Sequence, residues 1–343
     1  MSDQPVISEI SVVRRTWTPD ETVAHIRTLP IWTGKIVVEQ KFGGLQNRTF
    51  FVTDGADVGD GRRSVVRVGF DQYRTRQTTV VECVQAAHRL GLGPALLYAE
   101  PNLSVTAFQQ GTGMTLEQMG DPAIIRKIID RLKVLHEGSH AVHETISYWW
   151  PFDSIRRYLN ICETGKASTG SVPSAWADRI PRYRRIVDEL ESAIGPFIPK
   201  FTHNDVVFAN IIFSPDGELM FIDWDGGAYG HPLWDVAEML MWAEADEDLA
   251  RMALNYYYPG LSADQEAQPL KEIYAFQAAA GLRLVTETME NELDPCFFLT
   301  SAEMGESMKL TLPGEKPELA GLIDLIDPRF EELWKQYQDR YSA

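Results

Sequence analysis

Residues 201–225 read FTHNDVVFANIIFSPDGELMFIDWD, and the rest of the chain is best read outward from them. Two short apolar runs, Ile211 to Phe213 and Leu219 to Ile222, flank Ser214-Pro215-Asp216-Gly217. Proline and glycine there are turn formers, so the spacing predicts a β-hairpin. Asn210 stands just before the first run and Asp223 just after the second, so the hairpin brings the two to one end. Upstream, His203, Asp205 and Asn210 follow the order H-x-D-x-x-x-x-N.

That order, followed by an aspartate closing an apolar run, is the arrangement of a kinase catalytic loop. H-x-D alone is common; the hairpin and the flanked Asp223 give it weight. Phosphoryl transfer needs a carboxylate that orients the acceptor hydroxyl and takes its proton, the role expected of Asp205. It also needs oxygen donors for a nucleotide-bound Mg²⁺, the role expected of Asn210 and Asp223. Asp225 is a further candidate, as metal ligand or substrate contact. His203 is expected to be structural.

The composition fits an ordinary globular protein, with 343 residues, 44% hydrophobic and 24% charged. A formal net charge of −17 argues against a nucleic-acid backbone or an anionic membrane as partner and favours a cationic small molecule. The three cysteines, Cys83, Cys162 and Cys296, lie far apart without metal-ligand spacing and are expected to be reduced. No signal-peptide core and no long apolar run occur, so the expected location is cytoplasmic.

Thr18-Pro19-Asp20-Glu21 is a capping box that starts a helix ending before Pro30. Ile36 to Phe42, Arg48 to Thr53 and Ser64 to Val68 then read as an antiparallel meander. Its first tip holds Gly43, Gly44 and Asn47, which form either a plain turn or a phosphate-covering loop. Arg67, one strand later, is placed to offer a cation to phosphates. Glu82, on a helix expected over Thr78 to Leu90, is either its ion-pair partner or a solvated glutamate. Ala95 to Ala99 and Ser104 to Phe108 complete five strands, and Gln109-Gln110-Gly111 reads as a hinge where adenine is met by backbone groups.

Helical periodicity follows: Pro122 to His136, a helix entered from the aromatic segment YWWPFDSIRRYL (148–159), Trp176 to Ile194, Trp234 to Trp242, Leu270 to Leu293, and Arg329 to Tyr341. Trp149, Trp150 and Phe152 line a pocket or pack in the core. Asp235 is expected to accept backbone N–H bonds from the catalytic loop. The fold class is therefore α+β: a small antiparallel N-terminal lobe over 1–110, and a larger helical lobe over 111–343 that carries the catalytic loop.

GGLQNRTFFV (43–52), VVRV (65–68), GLGPALLYAE (91–100), HNDVVFANII (203–212) and IDWDGGAYGHPLWDVAEM (222–239) together resemble the aminoglycoside phosphotransferase and choline kinase group, whose fold is that of protein kinases. Arginine at 67 and the YWWPF segment make the chain most similar to the choline/ethanolamine kinase branch. The resemblance implies ATP and Mg²⁺ as cofactors, an amino-alcohol acceptor, Asp205 as base, Asn210 and Asp223 on metal, Arg67 and Glu82 at the phosphates, and Tyr229 near the substrate. An aminoglycoside or other hydroxylated metabolite is the alternative acceptor, and a nucleotide-binding pseudokinase scaffold is the alternative of a different class.

One departure bears on the acceptor. Choline kinases enclose the quaternary ammonium with tryptophans from a late helix, by cation–π attraction. The corresponding stretch here, YAFQAAAGLRLVTETME (274–290), has none. Arg283, Thr286 and Glu287 are the side chains expected at the pocket, with Glu238 as another candidate. An arginine there meets a substrate carboxylate, or it pairs with Glu287 one turn on at a solvated face.

Overall fold

The computed structural model describes residues 5–8, 13–42, 47–55, 61–70, 77–164, 178–293, 303 and 319–342. The N-terminal part is a sheet flanked by two helices. Strand β1 (Val6–Ile7) precedes α1 (Pro19–Ile26), which begins at the expected capping box, with Thr18 and Glu21 exchanging side-chain and backbone bonds. Then come β2 (Ile36–Lys41), β3 (Arg48–Asp54), β4 (Arg62–Val68), α2 (Gln77–Arg89), β5 (Leu96–Glu100) and β6 (Leu103–Ala107). The sheet order is β1-β5-β6-β4-β3-β2.

The meander is antiparallel as expected, with Phe50 opposite Val66 and Arg67 opposite Thr49. Six strands are present rather than five, because Val6 and Ile7 lie parallel to Tyr98 and Ala99. A two-residue strand is too short for its alternation to register in sequence. Phe50, Val52, Val66, Val68, Leu103 and Val105 are buried in a core shared with Ile26 and Leu29. Side chains of this kind contribute about 2 kcal/mol each on full burial. α2 instead joins the larger core through Val80, Cys83, Val84 and Ala87. Arg48, 1% exposed, donates from Nε and Nη2 to the two carboxylate oxygens of Glu303, at 2.7 and 3.0 Å, and so ties β3 to the C-terminal part of the chain.

After β7 (Thr112–Gly113) the chain is mainly helical: α3 (Leu116–Met119), α4 (Pro122–Glu137), α5 (Pro151–Thr164) and α6 (Ile180–Ser192). β8 (Lys200–Thr202), the hairpin β9 (Ile211–Phe213) and β10 (Leu219–Phe221), and β11 (Ala228–Gly230) follow. The remaining helices are α7 (Pro232–Trp242), α8 (Glu247–Tyr257), α9 (Ala263–Leu293) and α10 (Leu319–Tyr341). α9 packs against α5, α7 and α10, which makes it the spine of the helical part. The architecture is α+β, of protein-kinase type.

Two helices start before the expected Leu270 and Arg329, and the prolines that precede those residues, Pro269 and Pro328, lie inside them. At Ser262, reciprocal bonds with Gln265 start the helix a full two turns earlier. A capping box and a buried face outweigh one missing hydrogen bond. Among the described residues, Cys83 and Cys162 are buried, and no helix is long and apolar enough to cross a membrane.

Candidate active site

The loop between β8 and β9 hangs from α7. Asp235, fully buried, accepts the backbone N–H of His203 at 2.9 Å and of Asn204 at 2.7 Å, as its sequence position led us to expect. One turn on, Glu238 accepts the N–H of Val206 at 2.8 Å. The Asp235 carboxylate is itself held by His136 at 3.0 Å, whose other ring nitrogen meets the Tyr257 hydroxyl at 2.6 Å. His203 turns inward, Nε2 against the Ile222 carbonyl at 2.9 Å, and is structural as expected.

These anchors leave Asp205 facing out, its side chain 33% exposed. Asn210 donates from Nδ2 to the Asp205 carboxylate at 2.8 Å and to its backbone carbonyl at 3.0 Å, which leaves the Asn210 amide oxygen as a donor atom for a cation. The hairpin does what its sequence promised: Ile222 N–H bonds to the Asn210 carbonyl at 2.9 Å, so Asp223 emerges beside Asn210. Asp223 has φ 63° and ψ 69°, left-handed backbone that a non-glycine residue adopts at a cost.

From the sheet, Arg67 reaches across to this point. Its Nη2 lies 2.9 Å from Asp223 Oδ1 and 3.0 Å from Asp225 Oδ2. Burial works against the guanidinium charge, but the two carboxylates outweigh it and hold Arg67 firmly protonated. Asn47 adds a bond to Asp225 Oδ2 at 2.7 Å, so two residues of the β2–β4 region converge on one carboxylate. Burial pushes the Asp225 carboxyl up, Arg67 opposes that, and Asp223 reinforces it.

The Arg67–Glu82 pair expected from sequence is replaced by this arrangement. Glu82 is 3% exposed and its carboxylate bonds Arg89, two turns on along α2, and the backbone N–H of His143 at 2.7 Å. It fastens α2 to the segment after α4, because seven residues along a helix return to the same face. Gln109 lies half-buried between β6 and β7, in a connection so close to β9 that a Cβ on Gly111 would fall 2.2 Å from the Phe213 carbonyl. Gly43 and Gly44 lie outside the described residues.

On the far side of Asp205 sits Arg283, 3% exposed. It does pair with Glu287, at 3.0 Å, but not on a solvated face: its second terminal nitrogen meets Glu238 at 3.0 Å and approaches Asp205 to 4.0 Å. Burial pushes the Glu238 carboxyl up, against the pull of Arg283. Trp149 belongs to the core floor below, 7% exposed, edge-on to Trp234 at 4.9 Å and donating to Ser154 Oγ at 3.0 Å. Tyr229, half-buried in β11, exchanges backbone bonds with Ser147 and Trp149. A cleft of about 180 Å³ runs beside this aromatic segment, lined by Tyr148, Trp149, Asp153 and Arg157 among others.

The donor set at the hairpin end, one amide oxygen and one or two carboxylates, consists of hard oxygens and fits Mg²⁺. Among the described residues no group of three or more His, Cys, Asp and Glu side chains converges as a ready-made metal cage.

Comparison with known proteins agrees with the geometry. Protein LicA of Haemophilus influenzae is 23% identical over 174 residues, which are 50% of this chain and 49% of that protein, so the chain spans about half the length of this curated relative. The structure of a choline/ethanolamine kinase family protein from Mesorhizobium loti superposes with a TM-score of 0.65 at 18% identity, covering 93% of this chain and 97% of that one. LicA in complex with AMP gives 0.66 at 16% identity, covering 94% and 100%. The profile of the choline/ethanolamine kinases matches residues 38–273, well over half of the sequence, and the chain belongs to that family.

Proposed function

We propose that the protein is an ATP- and Mg²⁺-dependent kinase that transfers the γ-phosphoryl group to the hydroxyl of a small, polar, amine-bearing metabolite. The observation that carries this reading is that Asn210 bonds Asp205 and, through the hairpin, stands beside Asp223, which Arg67 of the sheet bonds in turn. Family membership and the AMP bound by LicA support nucleotide use.

In this reading residues 1–110 hold the phosphates, through Arg67 and the Gly43–Asn47 tip, and residues 111–343 supply the chemistry. Asp205 orients the acceptor hydroxyl and takes its proton as the oxygen attacks the γ-phosphorus and ADP leaves in line. Asn210 and Asp223 hold Mg²⁺, which when bound offsets charge on the phosphate oxygens. Arg67 exchanges its carboxylate contacts for phosphate oxygens, which match the same planar donor fork. The net charge of −17 favours approach of a cationic acceptor.

The test is direct detection of phosphorylated product with MgATP across amino alcohols, hydroxy acids, sugars and aminoglycosides. Product from an amino alcohol is expected. Product from aminoglycosides alone would move the acceptor to the alternative class, and nucleotide binding with no product from any acceptor would leave a scaffold.

A further inference from the structure

The β2–β3 hairpin is fastened at the end that carries its tip. Glu303, 5% exposed, accepts from Nε and Nη2 of Arg48 at 2.7 and 3.0 Å, and its Oε1 also accepts from Nε2 of Gln40. Gln40 is the penultimate residue of β2 and Arg48 is the first of β3, so one carboxylate grips both stems of the tip. The other terminal nitrogen of Arg48 donates to the Trp17 carbonyl at 2.7 Å and to Thr22 Oγ1 at 3.3 Å, which joins the clasp to α1.

The clasp lies on the opposite face of the sheet from the nucleotide cleft. Side chains alternate along a strand, and Arg48, Phe50 and Val52 form the buried face of β3 that packs toward α1. Gln40 and Val38 stand across from Phe50 and Val52 and share that face. Thr49 points the other way, across from Arg67, whose guanidinium bonds Asp223 and Asp225. The sheet thus separates Glu303 from the phosphate site, and any effect of Glu303 on the reaction runs through the two strands.

What the strands carry is the tip. Asn47, the residue before Arg48, donates to Asp225 Oδ2 at 2.7 Å, so the tip ends at the carboxylates that Arg67 holds. The tip sequence GGLQN (43–47) opens with two glycines, which lose more backbone freedom on ordering than any other residue. A nucleotide that needs this tip in one position bears that entropic cost on binding unless the stems are held beforehand. A buried guanidinium paired with a buried carboxylate holds them firmly, because separating the pair strands a charge away from water.

We propose that Glu303 is a positioning residue for phosphoryl transfer: by clasping Gln40 and Arg48 it pre-orders the tip that ends in Asn47, and so tightens binding of the nucleotide's phosphates. It acts without touching the nucleotide, from a point 255 residues beyond Arg48 in the chain. The inference rests on the kinase reading of the site, in which this tip covers phosphates.

The test is calorimetric titration with Mg²⁺ and a non-hydrolysable ATP analogue, and separately with adenosine, on folded protein well below its unfolding midpoint. Glu303→Gln keeps the size of the side chain and one acceptor oxygen but removes the charge. It is expected to raise Kd for the analogue about five- to tenfold and to leave that for adenosine within about twofold, with Glu303→Asp recovering part of the loss. In an Asn47→Ala background the same substitution is expected to raise Kd by less than about twofold, because both act through one tip. Gln40→Ala, which leaves the Arg48 ion pair in place, is expected to give a smaller rise of the same kind. Equal losses for the analogue and adenosine, or full additivity with Asn47→Ala, overturn the proposal and leave the kinase reading standing. So does an unchanged Kd for the analogue in Glu303→Gln, or in Gln40→Ala where Glu303→Gln does not fold. Failure of the parent protein to bind the analogue overturns both.

Discussion

Arg67 and Asp223 stand 156 residues apart in the chain and meet at 2.9 Å. The same nitrogen also reaches Asp225, so one guanidinium sits between two carboxylates that otherwise repel each other. Arg67→Ala is expected to weaken MgATP binding by about one to two orders of magnitude, through the lost phosphate contact and the uncompensated carboxylates. Arg67→Lys should recover only part, since a point charge replaces a fork. Calorimetric titration with a non-hydrolysable ATP analogue and Mg²⁺ decides it; an unchanged Kd in the alanine variant would remove Arg67 from the nucleotide site.

Asp205 bonds Asn210 and approaches Arg283, and makes no contact with Arg67 or Asp223 among the bonds described above. Asp205→Asn should therefore cut kcat by about 10²- to 10⁴-fold, the usual scale for a missing general base, while nucleotide affinity stays within about twofold. Single-turnover rates beside nucleotide titrations check both halves. Turnover equal to that of the parent protein would sink the assignment.

Asp235 is a stability residue of the loop that carries Asp205. Asp235→Ala strands two buried backbone N–H groups and the partner ring of His136, at an expected cost of about 3 kcal/mol. Asp235→Asn keeps one acceptor oxygen and should cost less. Urea unfolding gives the order, read as a shift in midpoint at constant slope; equal midpoints for all three proteins would contradict it.

His231 gives the fold an acid-side weakness. Its Nδ1 accepts the Leu233 N–H at 3.1 Å as the cap of α7, and burial, helped by the neighbouring His136, pushes the imidazole down from 6.5 to about 3. The Glu272 carboxylate, 3.7 Å from Nε2, pulls the other way and is outweighed. Between those two pH values the unfolded chain binds a proton that the folded chain refuses. The His231 contribution is thus complete above about pH 6.5 and is lost as pH falls, at up to about 1.4 kcal/mol per pH unit. Asn at 231 keeps a capping oxygen without titrating, so His231→Asn should flatten the stability profile from pH 6.5 to 4.5. An unaltered slope would clear His231 of that role.

Legibility followed the range of the interactions. The hairpin, its turn and the pairing of Asn210 with Asp223 were readable because turn chemistry and strand alternation act within about ten residues. Asp235 was expected to support the loop although its bonds to His203 and Asn204 span 32 and 31 residues and depend on how α7 packs beside it. Glu82 was misread because an in-helix partner, Arg89, and a distant backbone N–H, that of His143, compete with any cross-sheet ion pair, and sequence does not rank such partners. Arg283 was half readable: its i+4 glutamate is local, whereas burial against Glu238 depends on how α7 and α9 pack. Val6 and Ile7 were too short a strand to register.

That short strand has a practical consequence. Val6 and Ile7 run along β5, and the N–H of Ser8 bonds the Ala99 carbonyl at 2.7 Å. Without them β5 becomes a bare sheet margin, a template on which another copy can add. Deleting residues 1–8 is therefore expected to shorten the time a concentrated solution stays clear, visible as growing light scattering at unchanged catalytic rate per folded molecule.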